Sequence, residues 1–165
     1  KRALNYILDY FNRVDNKEFD DLIHQAAEII VNSHEVICSG IGLSDAIAKF
    51  AASLFNRKGK RTMYSGDFSS RFRGMYDQND CALFFTVSGE TREIIDRIKD
   101  LKKYDIKIIV ITNSASSTAA KMSDLALTYY MPSTKNGDFY SSATQVPVLY
   151  IIESIANLFI EYGIY

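Results

Sequence analysis

The sequence predicts an α/β fold: a three-layer sandwich in which a five-stranded parallel sheet is flanked by helices. Three observations predict it. Short apolar runs of strand length alternate with amphipathic stretches of helical length. The connections between them are short, as in units where a helix carries the chain from one parallel strand to the next. The apolar runs are also nearly continuous, as in Cys81-Ala82-Leu83-Phe84-Phe85, which suits strands covered on both faces.

The elements follow in order. Leu4, Ile7, Leu8 and Phe11 mark a first amphipathic helix. Asp15-Asn16-Lys17-Glu18 resembles a capping box that opens a second, with Leu22, Ile23, Ala26, Ile29 and Ile30 on its apolar face. Strands are predicted over Glu35–Ser39, Arg61–Tyr64, Cys81–Val87, Lys107–Thr112 and Leu125–Tyr129. Helices are predicted over Ser44–Arg57, a short piece around Ser69–Met75, Glu90–Tyr104, Ser117–Met122 and Thr144–Tyr162. Pro132–Ser142, with its Asn136-Gly137-Asp138, reads as a loop before the last helix. Phe50, Phe55, Phe84 and Phe85 fall at core spacing. Residues 1–31 form a helical N-terminal segment that packs on the domain or on a partner, and residues 32–165 form the sheet domain.

Composition excludes several classes. A chain of 165 residues with 47% hydrophobic and 24% charged residues suits one globular domain with a real core. A net charge of -1 does not suggest a nucleic-acid surface. The cations of Arg57-Lys58-Gly59-Lys60-Arg61 read as a solvated helix end. No apolar run reaches membrane-span length, and Asp9 interrupts the early apolar positions where a signal peptide would need continuity. Cys38 and Cys81 lie in apparent buried strands, which predicts reduced core thiols and a cytoplasmic location. The chain does not begin with methionine, as expected of a piece of a longer protein.

The chemistry concentrates at the predicted strand ends. After the third strand comes Thr86-Val87-Ser88-Gly89-Glu90-Thr91, a turn of three hydroxyls and a glycine that opens a helix. Glycine permits close backbone approach, free N–H groups at a helix start attract anions, and hydroxyls donate to phosphate oxygens. The bland alternative is a helix cap supplied by Ser88. Two more strand ends carry small polar residues: Ser39-Gly40-Ile41-Gly42-Leu43-Ser44-Asp45 and Thr112-Asn113-Ser114-Ala115-Ser116-Ser117. Together they predict one polar rim at the carboxyl edge of the sheet, where such folds bind ligands. A dinucleotide fingerprint is broken because Asp45 stands where the third glycine belongs, although Asp67 could mimic the acidic ribose partner. No Gly-Lys-Ser/Thr phosphate loop occurs. No cofactor and no metal is therefore expected.

These motifs resemble the two signature loops of the sugar isomerase (SIS) domain: Ser39-Gly40-Ile41-Gly42-Leu43-Ser44 and Thr86-Val87-Ser88-Gly89-Glu90-Thr91. Ile111-Thr112-Asn113-Ser114 and Ala119-Ala120-Lys121-Met122-Ser123-Asp124 are similar to the family's fourth strand and following helix. The resemblance covers roughly Asn32 to Ile160 and is greatest to the effector domain of RpiR-type transcription regulators. It implies a five-stranded parallel sheet, a phosphorylated sugar or amino sugar as ligand, and a homodimer. It places phosphate contacts at Ser44, Thr86, Ser88, Gly89 and Thr91. Ser39, Gly40, Gly42, Glu90, Asn113, Lys135, Ser141 and Ser142 are further ligand-binding candidates, with Ser142 standing where regulators often carry arginine. DNA would be contacted only through a helix-turn-helix domain that this sequence does not contain.

Isomerases of the family supply a histidine and a glutamate near the sugar, for a proton shift that needs an acid and a base. Here the only histidines are His24, on an N-terminal helix, and His34, before the first strand. No catalytic residue is assigned. Sensing is therefore the first expectation and sugar-phosphate isomerisation the alternative. Tyr6, Tyr10 and Phe11 are candidates for burial against a second subunit.

Overall fold

The computed structural model describes residues 3–69, 71–131 and 144–164. Two helices, α1 (Ala3–Val14) and α2 (Lys17–Asn32), precede a βα series: β1 (Val36–Gly40), α3 (Leu43–Arg57), β2 (Thr62–Tyr64), β3 (Cys81–Thr86), α4 (Arg92–Lys102), β4 (Lys107–Thr112), α5 (Thr118–Met122), β5 (Leu125–Thr128) and α6 (Val146–Asn157). A short 3-10 helix, Phe159–Tyr162, ends it. All strands are parallel in the order β2-β1-β3-β4-β5, with Cys38 opposite Leu83 and Phe85 opposite Ile111.

Successive residues of a strand face opposite sides, so the run at 81–86 feeds two cores. Leu83 and Phe85 join Cys38, Ile111 and the apolar faces of α2, α3 and α6. Ala82 and Phe84 join Ile37, Val110 and the α4 residues Ile94, Ile98 and Leu101. This double burial is why the run is apolar at every position and not at every second one. Cys38 and Cys81 are buried and unpaired with each other, and burial pushes the Cys81 thiol up to about 12.

Several sequence expectations are corrected. The N-cap of α2 is Asn16, whose side chain accepts from the Phe19 N–H at 2.9 Å; Asp15 and Glu18 form no capping box there. The described residues of the segment around Ser69–Met75 form turns, not a helix. Asp67 Oδ1 accepts from Ser69 N at 2.9 Å and Ser69 Oγ at 2.5 Å, and Arg73 and Gly74 have φ of 39° and 83°. A side chain competing for backbone donors and two left-handed residues stop helix propagation. Asp67 thus caps a turn. The final helix ends at Asn157 and tightens to a 3-10 turn. Phe50 is 37% exposed, whereas Phe55, Phe84 and Phe85 are buried. Lys60 is buried, not solvated: its ammonium donates to the carbonyls of Val31 at 3.2 Å and of Ser33, beyond the end of α2. That closes otherwise unpaired carbonyls at a negative helix end.

The N-terminal helices pack on their own chain. Tyr10 is fully buried, with its ring edge-on to Phe11 at 5.4 Å and to Tyr150 of α6 at 6.4 Å. Phe19 stacks on Tyr150 at 6.1 Å. Leu4 and Leu8 remain 52% and 50% exposed on the other side of α1.

Candidate functional site

At the carboxyl ends of β1 and β3 a cleft of about 430 Å³ opens, lined by Ile41, Gly42 and Ser44 on one wall and Thr86, Thr91 and Arg92 on the other, with Glu93 and Gln145 at its margin. Three helices start here: α3 after Gly42, α4 after Thr91 and α6 after Gln145. None has a hydrogen bond from the side chain of its capping residue, although at α6 Thr144 Oγ1 accepts from Val146 N at 3.3 Å. By contrast α2 and α5, which start elsewhere, are capped by the side chains of Asn16 and Ser117. Helix starts without caps leave N–H groups and the positive end of the helix dipole for an anion.

The wall from β1 is shaped by glycine. A Cβ on Gly40 would lie 2.5 Å from the Ser44 carbonyl carbon and 3.0 Å from the Asp45 nitrogen, both backbone atoms. Only glycine lets the first turn of α3 descend this closely onto the strand. Gly42 has φ 67°, a left-handed value, and turns the chain into α3. Ser44, 7% exposed, follows on the cleft wall. Beside it the Tyr64 hydroxyl donates to Asp45, and Lys49 pairs with the other Asp45 oxygen at 3.5 Å.

The wall from β3 is shaped by hydrogen bonds. Thr86 Oγ1 accepts from Gly89 N and meets Thr91 Oγ1, both at 3.1 Å. Ser88 Oγ accepts from Glu90 N at 3.0 Å, which leaves its O–H as a donor. Gly89 has φ 69°, and a Cβ there would collide with the Ser117 side chain. Ser88 is therefore a turn-former inside the loop, and the residue that caps α4 is Thr91.

From behind, the loop is tied to the segment after β4. Val87 O accepts from Asn113 N at 3.0 Å and from Thr112 Oγ1 at 3.2 Å. Gly89 O accepts from Ala119 N at 2.9 Å. The Glu90 carboxylate accepts from Thr118 N and Thr118 Oγ1, both at 2.7 Å. These donors, the backbone N–H first, hold the Glu90 carboxyl below the usual glutamate range.

Of the expected site residues, the structure brings Gly42, Ser44, Thr86 and Thr91 to one cleft, with Ser88 and Gly89 in the adjoining turn. Four others have structural partners, Glu90 with Thr118 among them. Ser39 donates to Ser65 O at 3.0 Å, and Gly40 lies under α3. The Asn113 amide donates to Met131 O at 2.8 Å and accepts from Met131 N at 2.6 Å. Lys135, Ser141 and Ser142 lie outside the described residues. Arg92, Glu93 and Gln145 were missed; the start of α4 directly after the hydroxyl loop was the signal that points to the first two. His34 lies at the opposite edge, 3.7 Å from Asp80, and His24 meets the Tyr162 hydroxyl at 3.1 Å. Among the described residues no group of three or more His, Cys, Asp or Glu side chains converges as for a metal ion, and no helix is long and apolar enough to cross a membrane.

Comparisons with known proteins agree with this architecture. An HTH-type transcriptional regulator of Clostridium perfringens is 29% identical over 167 residues, covering 98% of this chain and 58% of the regulator. An arabinose 5-phosphate isomerase of Francisella tularensis is 30% identical over 123 residues, covering 68% and 36%. The chain thus spans well under two thirds of its curated relatives' own length. Among solved structures, the sugar isomerase domain of an RpiR transcription factor from Sphaerobacter thermophilus superposes with a TM-score of 0.80 at 19% identity, covering 96% and 87%. The Vibrio vulnificus NanR protein, complexed with ManNAc-6P, superposes with 0.79 at 23% identity, covering 98% and 60%. The SIS domain model matches residues 29–151, from the end of α2 into α6 and across both walls of the cleft, and the chain belongs to the SIS domain family.

Proposed function

We propose that this chain is the sugar-phosphate-sensing part of a cytoplasmic transcription regulator, acting as a homodimer and reaching DNA only through a domain outside these 165 residues. The observation that carries this is the cleft at which α3 and α4 start without side-chain caps, beside a hydroxyl-bearing wall. Ser44 and Thr91 donate to the phosphate together with the N–H groups at the starts of α3 and α4. Ser88 adds its O–H. Thr86 and Gly89 set the loop's shape. Arg92 supplies positive charge at the entrance. The regulator relative and the NanR complex with ManNAc-6P support the class of ligand and the role.

Isomerisation is the second reading, favoured by the arabinose 5-phosphate isomerase relative. It needs a positioned acid and base beside the sugar. The chain's two histidines are engaged away from the cleft, and Glu90, the glutamate of the phosphate loop, is committed to Thr118. This arrangement favours sensing. The exposed Leu4 and Leu8 of α1 are the surface offered to a second copy; replacing both by glutamate lowers the sedimentation coefficient if that face assembles the dimer.

The deciding experiment is calorimetry with sugars and their phosphates. Wild type binds a phosphorylated sugar and not its unphosphorylated form. Ser44→Ala weakens binding by about 1.5–3 kcal/mol, the contribution of a hydrogen bond to a charged group. Equal affinity for a sugar and its phosphate removes the assignment. Enzyme-dependent deuterium exchange at the carbon next to the carbonyl of an aldose or ketose phosphate would favour the isomerase.

A further inference from the structure

We infer that Glu90 and Thr118 form a positioning strut that holds the hydroxyl loop in its anion-receiving shape before any ligand arrives; the functional consequence rests on the phosphate-sensing reading above.

Glu90 follows the tight turn at Gly89, where the chain is in a left-handed conformation and cannot be held by regular structure. Its carboxylate does not reach into the cleft. It turns to the back of the loop and takes two hydrogen bonds of 2.7 Å from one residue, Thr118, the first of α5. A carboxylate accepting from both the N–H and the O–H of one residue is fixed in rotation as well as in position. Next to it, Ala119 N donates to Gly89 O at 2.9 Å, so consecutive residues of α5 grip consecutive residues of the loop. Ser117, which packs against the bare Gly89 Cα, closes the same face. Thr91, which lines the cleft, and Ser88 of the adjoining turn flank this gripped pair in the chain.

The consequence is preorganisation. A loop that must freeze on binding gives up part of its interaction energy to ordering, whereas one already held does not. Glu90 thus acts on the phosphate without touching it. It is a positioning residue, and the chemistry required of it is a pair of hydrogen bonds to Thr118, one to the N–H and one to the hydroxyl, not charge. Glutamine meets that requirement: its carbonyl oxygen accepts from Thr118 N, and its amide donates to the Thr118 hydroxyl oxygen. Alanine and leucine do not.

The test uses the whole chain and has two readouts. Without ligand, hydrogen exchange is followed at the amides of Val87 to Thr91, with Phe84 and Ile109 as controls for global opening. Glu90→Ala and Thr118→Val each speed exchange in the loop and leave the controls unchanged, and Glu90→Gln restores protection. The double variant Glu90→Ala, Thr118→Val is no faster than Glu90→Ala alone, because Thr118→Val removes only the hydroxyl bond, one of the two that Glu90→Ala already removes. With inorganic phosphate and N-acetylmannosamine 6-phosphate as probes, Glu90→Ala and Thr118→Val weaken binding by roughly three- to tenfold through lost preorganisation, and Glu90→Gln recovers most of it. Loop exchange unchanged in both single variants overturns the strut. Additive effects, or a glutamine variant as impaired as alanine, overturn it too, the latter by pointing to a role for the charge. If wild type binds neither probe, the sensing reading loses its support while the exchange data still decide the strut.

Discussion

The two walls of the cleft do the same job by different means. The wall from β1 is built by steric fit within five residues: Gly40 lets the Ser44 carbonyl come down onto the strand, and Gly42 turns the chain. The wall from β3 is built by partners about 25 to 30 residues away, with Thr112, Asn113, Thr118 and Ala119 holding Val87, Gly89 and Glu90. A steric wall has no softer state, because backbone atoms at a missing Cβ cannot move aside without dragging a helix. A hydrogen-bonded wall can lose one tie and keep the others, so single changes there should weaken it in steps.

The largest expected effect is on the steric wall. Gly40→Ala puts a methyl group against the Ser44 backbone. It should cost about 3 kcal/mol or more of stability, the upper part of the overpacking range, read as a lowered urea midpoint. A loss below about 1 kcal/mol would show that α3 can slide, and would break the contrast. Gly89→Ala comes next. It meets a left-handed φ and the Ser117 side chain, and should cost about 1–3 kcal/mol. Because the main obstacle is the Ser117 side chain, with Thr112 Oγ1 further off at 3.1 Å, Ser117→Gly in the same molecule should recover most of the steric part and leave about 1 kcal/mol for the backbone conformation. No recovery would mean that this turn, like the other, is fixed by backbone alone.

Smaller effects test the individual ties. Thr112→Val removes the hydroxyl bond to Val87 O but leaves the Asn113 N–H bond to the same oxygen. Denaturation should show a loss of about 0.5–1.5 kcal/mol, one ordinary hydrogen bond, and the loop should keep its shape. The smallest effect is that of pH. Thr118 lowers the folded-state pKa of Glu90 below its value in the unfolded chain. The part of the strut's stabilisation that depends on the carboxylate charge is therefore fully present above the ordinary glutamate range and is lost as pH falls through the lower folded value. Comparing wild type with Glu90→Gln by denaturation between neutral and strongly acidic pH isolates it: the wild type should lose the larger share of stability on acidification. Parallel curves would show that the carboxylate form contributes nothing beyond what the amide provides.

Much of this was legible in the chain. The apolar run at 81–86 had to be a strand buried on both faces, since no exposed edge tolerates it, and the five strand segments were read to within a residue or so. Gly40, Gly42 and Ser44 could be placed because their effect is local: a glycine acts on the backbone within a few residues of itself. The apolar spacing around Ser69–Met75 suggests a helix, but the described residues there follow the Asp67 turn, with Phe72 and Tyr76 buried beside Ile98 and the Arg97 guanidinium 4.6 Å from the Phe68 ring and 4.8 Å from that of Phe72.

By itself the sequence determined the sheet, its covering helices and the presence of hydroxyl-bearing turns at the strand ends, because period, glycine position and helix starts are properties of neighbouring residues. Only the tertiary structure decided what each polar side chain does. Asn113 serves Met131, Lys60 the end of α2, and Glu90 the start of α5, while Ser44 and Thr91 come together across β1 and β3. A hydrogen bond is directional and short, and its partner is chosen by the packing of two cores that bring distant segments within 3 Å, which no local pattern encodes.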